Sequence, residues 1–124
     1  MKTFIFIILF TFILNGDESF LDTYTGLIWQ SNYKESVTWN EAKSYCENLS
    51  LDHEEWRLPK TSELLSLIDY SLFDPATIVD DCPSEWFWGS EFSGDHSAAW
   101  IIWFYDGFVE YTEKQNLYFV RCVR

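Results

Sequence analysis

The sequence predicts an α+β domain, two helices packed on a mostly antiparallel sheet. Three observations predict it. Residues 38–49 and 59–68 carry apolar positions at helical spacing behind helix-start signals. Residues 86–123 are runs of aromatic and β-branched residues broken by a strong turn dipeptide. The resulting order, strand, helix, helix and then several strands, segregates helices from sheet.

The elements follow in turn. FLDTYTGLIWQ (20–30) reads as a short strand, a turn at Thr25-Gly26 and a second strand ending at Trp29, and 31–36 as polar loop. Thr38-Trp39-Asn40-Glu41 is a capping box, in which the Thr38 hydroxyl accepts from the Glu41 amide and the Glu41 carboxylate from the Thr38 amide. Trp39, Ala42, Cys46 and Leu49 then form one apolar stripe, so Cys46 points inward. Residues 48–55 are a polar loop, and Trp56-Arg57-Leu58 is a short buried extended segment. Pro59 suits the start of a second helix, with Thr61 or Ser62 as its cap and Glu63 at the positive end of its dipole. Leu64, Leu65 and Ile68 form its buried face, with Leu72 just beyond. Residues 73–85 are irregular. Strands are expected at 86–92, 98–105, 108–112 and 117–123, with Asp106-Gly107 as a two-residue hairpin turn. Tyr118, Val120 and Cys122 share one face of the last strand.

The first residues read as an export signal. Lys2 is followed by a twelve-residue apolar run, Thr3 to Leu14. A helix of that length reaches roughly 18 Å, short of a hydrocarbon core of ~30 Å, which suits a signal peptide over residues 1–16 rather than a membrane span. Cleavage after Gly16 would leave 124 − 16 = 108 residues, a single domain over 17–124. Losing Lys2 takes the net charge from −12 to −13. The remaining cations (Lys34, Lys43, Arg57, Lys60, Lys114, Arg121 and Arg124) form no stripe, which argues against nucleic acid as a partner. In an exported chain with three cysteines, two are expected to pair.

Several spaced motifs agree with one family. TGLIWQ (25–30), TWNEAKSYCENL (38–49), WRLPKTSEL (56–64), FWGSEF (87–92), AAWIIWF (98–104) and VRCVR (120–124) occur in that order. The chain thus resembles the bacterial Lcl C-terminal domain family, named after the end domain of a collagen-like adhesin, over residues 20–124. The resemblance implies a C-type-lectin-like fold, more distantly similar to formylglycine-generating enzymes and sulfatase-modifying factors. It implies a disulfide between the first helix and the last strand, here Cys46 and Cys122, and both also lie on inward faces. Such a bridge closes 122 − 46 + 1 = 77 residues, for which chain entropy gives about 4–5 kcal/mol. Cys82 is left free or paired to another molecule, beside Asp80 and Asp81, which disfavour its thiolate.

Each candidate site has a plain structural alternative. Arg57 could grip an anion, but between Trp56 and Leu58 it is better read as structural, bonded to loop carbonyls or to Glu63, with Trp56 and Pro59 supporting the same turn. The tryptophans of 86–105 alternate with other large residues, so one sheet face is core and the other is either covered or a binding platform. Trp86, Trp88, Glu91, Trp103, Tyr105 and Asp106 are the candidate ligand-binding residues. Asp80, Asp81, Glu85, Glu91 and Asp95 could gather round Ca²⁺, yet the Glu-Pro-Asn and Trp-Asn-Asp signatures of calcium-dependent lectins are absent, so no metal or other cofactor is expected. His53 and His96 lack zinc-ligand spacing. The reactive cysteine pair of formylglycine-generating enzymes has no counterpart once Cys122 is bridged, and chance carboxylate pairs do not make a glycosidase.

The expectation is a non-catalytic exported module, periplasmic or at the cell surface, that binds glycan or protein in adhesion. A structural subunit of an envelope assembly is the alternative, and an enzyme the remoter one. One branch of the family is associated with sulfated polysaccharides, but a charge of −13 with scattered cations suits a neutral glycan, a protein or a cation-bridged ligand better.

Overall fold

The computed structural model describes residues 18–124; the expected signal segment, 1–16, lies outside the described residues. The chain runs β1 (Ser19–Leu21), β2 (Ile28–Gln30), β3 (Lys34–Val37), α1 (Trp39–Glu47), a 3₁₀ turn (Leu51–His53), α2 (Thr61–Leu65), β4 (Trp86–Phe92), β5 (Ala98–Trp103), β6 (Phe108–Glu113) and β7 (Tyr118–Val120). β1 and β2 form a small antiparallel ribbon, and the other five strands form a sheet in the order β3-β7-β4-β5-β6. Every pair in the main sheet is antiparallel except β4 with β7. Among the described residues the fold is α+β with two α-helices, as the sequence predicts.

Local chemistry explains most elements. Thr38 caps α1 as expected: its hydroxyl accepts from the Glu41 amide at 3.2 Å, and Glu41 Oε1 accepts from the Thr38 amide at 2.9 Å. Trp39, Ala42 and Cys46 are the buried stripe. Cys46 and Cys122 are bridged, tying α1 to the C-terminal segment just beyond β7.

The sheet lies between two apolar clusters. Opposite positions in register share a face, so Trp88, Ala99, Ile101 and Val120 face α1 through Trp39, Ala42 and Cys46, with Trp56 and Leu58 beside them. The neighbouring positions Phe87, Ile102 and Phe104 face the other way, against Leu64, Leu67, Trp29 and Val123. Both faces of the central strands are therefore core along much of their length. This is why 98–105 is apolar at every position.

Four expectations are corrected. Residues 34–37 are strand rather than loop, because the register reaches from Lys34–Val120 to Val37–Tyr118 across an irregularity. The β5–β6 connection is four residues, 104–107, since Trp103 pairs with Phe108. The Phe104 amide instead donates to the Glu85 carbonyl, and the Phe104 carbonyl accepts from Ala76, so the irregular loop captures the residue that would have extended β5. Helix α2 is capped at Lys60 rather than Thr61 or Ser62, its Lys60 amide donating to Glu63 Oε1 at 2.8 Å. Leu72 is exposed, and Leu67 takes its place in the core.

Candidate functional site

Arg57 holds the fold. Its guanidinium donates to both Glu63 oxygens, each at 2.8 Å, and its backbone pairs with Val123 in both directions. The same carboxylate takes the Lys60 amide, so one side chain fixes the arginine and the start of α2 together. The fork pulls the Glu63 carboxyl below its usual range and raises Arg57 further. Trp56 is buried and donates from its indole to the Leu51 carbonyl; the Pro59 carbonyl accepts from Ser90. Arg57 shares a shallow cleft with Lys43 and Lys60, so three cations that looked scattered do meet. Lys43 is paired with Glu47 and Arg57 with Glu63, which leaves little net charge there.

The buried arginine is one the sequence reading did not single out. Arg121 is only 1% exposed and donates to the carbonyls of Gln30 and Ser31 at 2.9 and 2.7 Å. Burial lowers its pKa, with the Cys82 sulfur opposing. Its guanidinium lies 5.8 Å from the Tyr33 ring centroid. Alternation along the last strand was a signal for it, because Arg121 sits between the inward positions Val120 and Cys122. Cys82 is free but buried in the cluster around Trp29, Phe87 and Phe104. Of the two expected states, free or paired to another molecule, Cys82 is in the free one. Burial is the main cause raising its pKa, Arg121 opposes it and Asp81 adds to it.

The aromatic candidates separate into three groups. Trp88 is wholly buried and donates from its indole to the Val37 carbonyl, so it is core and leaves the candidate surface. Glu91 lies towards the far end of β4, near the Phe92–Ala99 pair, and accepts the Thr61 amide at 3.0 Å. It caps α2 and does not join the others. Trp86, Trp103, Tyr105 and Asp106 do come together. Trp86 sits opposite Trp103, and their rings stack at 5.2 Å, 6° from parallel. Trp103 stacks in turn on Tyr105 at 5.0 Å. Phe108 and Tyr118 flank Trp86 at 6.3 and 6.4 Å. The rings thus run as one row across β7, β4, β5 and β6, one step beyond the positions that α1 covers. Asp106 borders the row and accepts from the Phe108 amide at 3.0 Å.

Two ring contributions come from places the sequence reading passed over. Phe73, 71% exposed, meets Tyr105 edge-on at 6.2 Å. Phe108, 56% exposed, ends the row on β6. Tyr70 packs over Gly107, its hydroxyl donating to the Gly107 carbonyl at 3.4 Å. A large aromatic in an irregular loop was the available signal for Phe73, but its neighbour Tyr105 is set by the long β5–β6 connection. The indole N–H groups of Trp39, Trp56 and Trp88 all donate to backbone carbonyls. Those of Trp86 and Trp103 bond to nothing among the described residues, and both side chains are only half-buried.

Asp95 is held in its own turn by Ser93 and Ser97, which bring its pKa down to about 2. Among the described residues no three acidic, histidine or cysteine side chains converge as metal ligands. No helix among the described residues is long and apolar enough to cross a membrane.

The model of the Lcl C-terminal domain family matches residues 18–124. The chain belongs to the Lcl C-terminal domain family. No curated protein matches it. In Lcl C-terminal domain terms, the bridge between Cys46 and Cys122, the Arg57–Glu63 fork and the doubly covered sheet are this domain's frame. The aromatic row, partly buried at Trp86, Trp103 and Tyr105 and exposed at Phe73 and Phe108, borders that frame.

Proposed function

We propose that this Lcl C-terminal domain is a non-catalytic, exported ligand-binding or adhesion module, and that its ligand docks on the row of Trp86, Trp103, Tyr105, Phe73 and Phe108. A neutral glycan or a protein surface suits this row. The observation that carries the reading is the pair of partly buried tryptophans whose indole N–H groups have no partner among the described residues, in a chain whose charge is mostly negative. Rings offer apolar area, and free N–H donors offer acceptors on the ligand a place to bind. A contiguous exposed apolar patch is costly to keep in water and marks interaction surfaces. A non-catalytic role is supported by the thiols: Cys46 and Cys122 are bridged, and the Cys82 thiol is buried with a raised pKa.

The test is a glycan-array and surface-protein binding screen of the oxidised domain, with and without Ca²⁺, repeated on Trp103→Ala and Phe73→Ala. Binding that these substitutions abolish while circular dichroism stays native supports the reading. A ligand bound equally well by both variants places recognition elsewhere.

A further inference from the structure

We infer that the outer edge of β6 accepts an extended, basic polypeptide segment as an added strand. The inference deepens the reading of the aromatic row, since Phe108 belongs to both. The two edges of the five-stranded sheet are not alike. The β3 edge is four residues long, begins with Lys34, carries Ser36 at φ 53° and breaks register against β7. Those are the devices that protect an edge from unwanted pairing. β6 lacks these devices, its protection being the carboxylates of Glu110 and Glu113. It runs six residues in unbroken register against β5, without Pro, Gly or Lys. Among the described residues no strand pairs with its other side. Alternate backbone N–H and C=O groups on that side are the template that strand addition uses.

Charge selects the occupant. From Thr61 to Glu113 the chain has no Lys or Arg in 113 − 61 + 1 = 53 residues, and it has 11 Asp or Glu. The next cation, Lys114, is engaged over the Trp39 and Phe92 rings at 4.1 and 4.5 Å. β6 itself carries Glu110 and Glu113, three positions apart and hence on opposite faces of the sheet. An incoming strand with Lys or Arg on either face meets a carboxylate, and its apolar residues meet Phe108 or Tyr111, both more than half exposed. A second copy of this chain is disfavoured at the same edge, because pairing β6 with itself brings two carboxylates from each copy into one ribbon. Its own acidity therefore works against self-association while attracting a basic partner.

The probe is a labelled peptide of alternating Lys and Val, titrated into the oxidised domain by fluorescence anisotropy. Saturable binding is expected, weakened about tenfold or more by the double substitution Glu110→Lys with Glu113→Lys. The same peptide N-methylated on alternate amides, which leaves its charge and side chains intact, is expected to bind comparably weakly in one of its two frames. Hydrogen exchange at β6 amides should slow on binding. Equal binding by both N-methylated frames and the parent, or by the charge-reversed domain, overturns strand addition. A dimer of the free domain that the charge reversal disrupts also overturns it, because the edge would then be occupied by a second copy. If Trp103→Ala abolishes peptide binding while both edge changes leave it intact, the aromatic-row reading stands and this one falls. A peptide that binds through the edge while Trp103→Ala binds every array ligand normally leaves this inference standing and removes the other.

Discussion

Trp86 and Trp103 face each other across β4 and β5 with their rings 5.2 Å apart and 6° from parallel, and their indole N–H groups donate to no acceptor among the described residues. Two positions along the same strand, Trp88 is completely buried and its indole is bonded to Val37. The three side chains lie on one sheet face; Trp88 is wholly inside the cluster that α1 covers, while Trp86 and Trp103 are only partly buried. The same residue type therefore serves packing at one level and keeps part of its ring accessible at the next.

That difference is measurable. Trp88→Ala should destabilise the domain by about 3–5 kcal/mol, the range for emptying a buried aromatic site. Trp103→Ala should cost about 1–2 kcal/mol, from lost stacking and partial burial. Urea unfolding followed by far-ultraviolet circular dichroism gives both. Equal losses would mean that the row is as much core as Trp88.

Glu63 joins Arg57 to the start of α2, so Glu63→Gln removes a charged fork and weakens a cap in one step. Arg57 is 44% exposed at its side chain, which screens the ion pair, so the expected loss is about 1–2 kcal/mol rather than the value for a buried pair. The folded Glu63 pKa lies below its unfolded value. Its contribution is therefore whole above the unfolded pKa and is lost as pH falls through the folded one, in the region below about 4. Comparing wild type and Glu63→Gln by urea unfolding should show their difference shrinking between pH 7 and pH 3.

Reduction should be costly. Opening the bridge between Cys46 and Cys122, 76 positions apart, is expected to remove about 2–5 kcal/mol. Thermal melts with and without reductant test this, and an unchanged midpoint would show that the cross-link does not constrain the unfolded chain.

Gly107 has φ +88°, and a Cβ there would come within 2.6 Å of the Tyr70 ring and 2.8 Å of Ile68. Gly107→Ala should cost about 1–3 kcal/mol through backbone strain and the displaced ring. It should also disturb the Tyr105 and Phe73 end of the aromatic row, which a binding titration reads separately from the melt.

The Cys82 thiol should resist alkylation in the folded protein, because it is buried and its pKa is raised. Iodoacetamide labelling followed by mass spectrometry should become fast only in denaturant. Prompt labelling of the native chain would show that the segment around Cys82 opens.

Residue pattern by itself determined the class of fold, the α1 cap, the inward cysteines and the existence and order of the late strands, since local chemistry and alternation fix these within a few neighbouring residues, though not the ends of β5 and β7. The Arg57–Glu63 fork was also legible, because the two are six positions apart at a helix start. What lay beyond the pattern came from contacts distant in sequence. An all-apolar strand reads the same whether a helix lies over it or not, so only tertiary packing decided that Trp88 is wholly buried and Trp86 and Trp103 only partly. Glu91 looked like a site residue until Thr61, thirty positions away, was seen to occupy it. Strand order is likewise invisible locally: that β6 lies at an open edge, and β3 at a protected one, depends on how β7 inserts between β3 and β4.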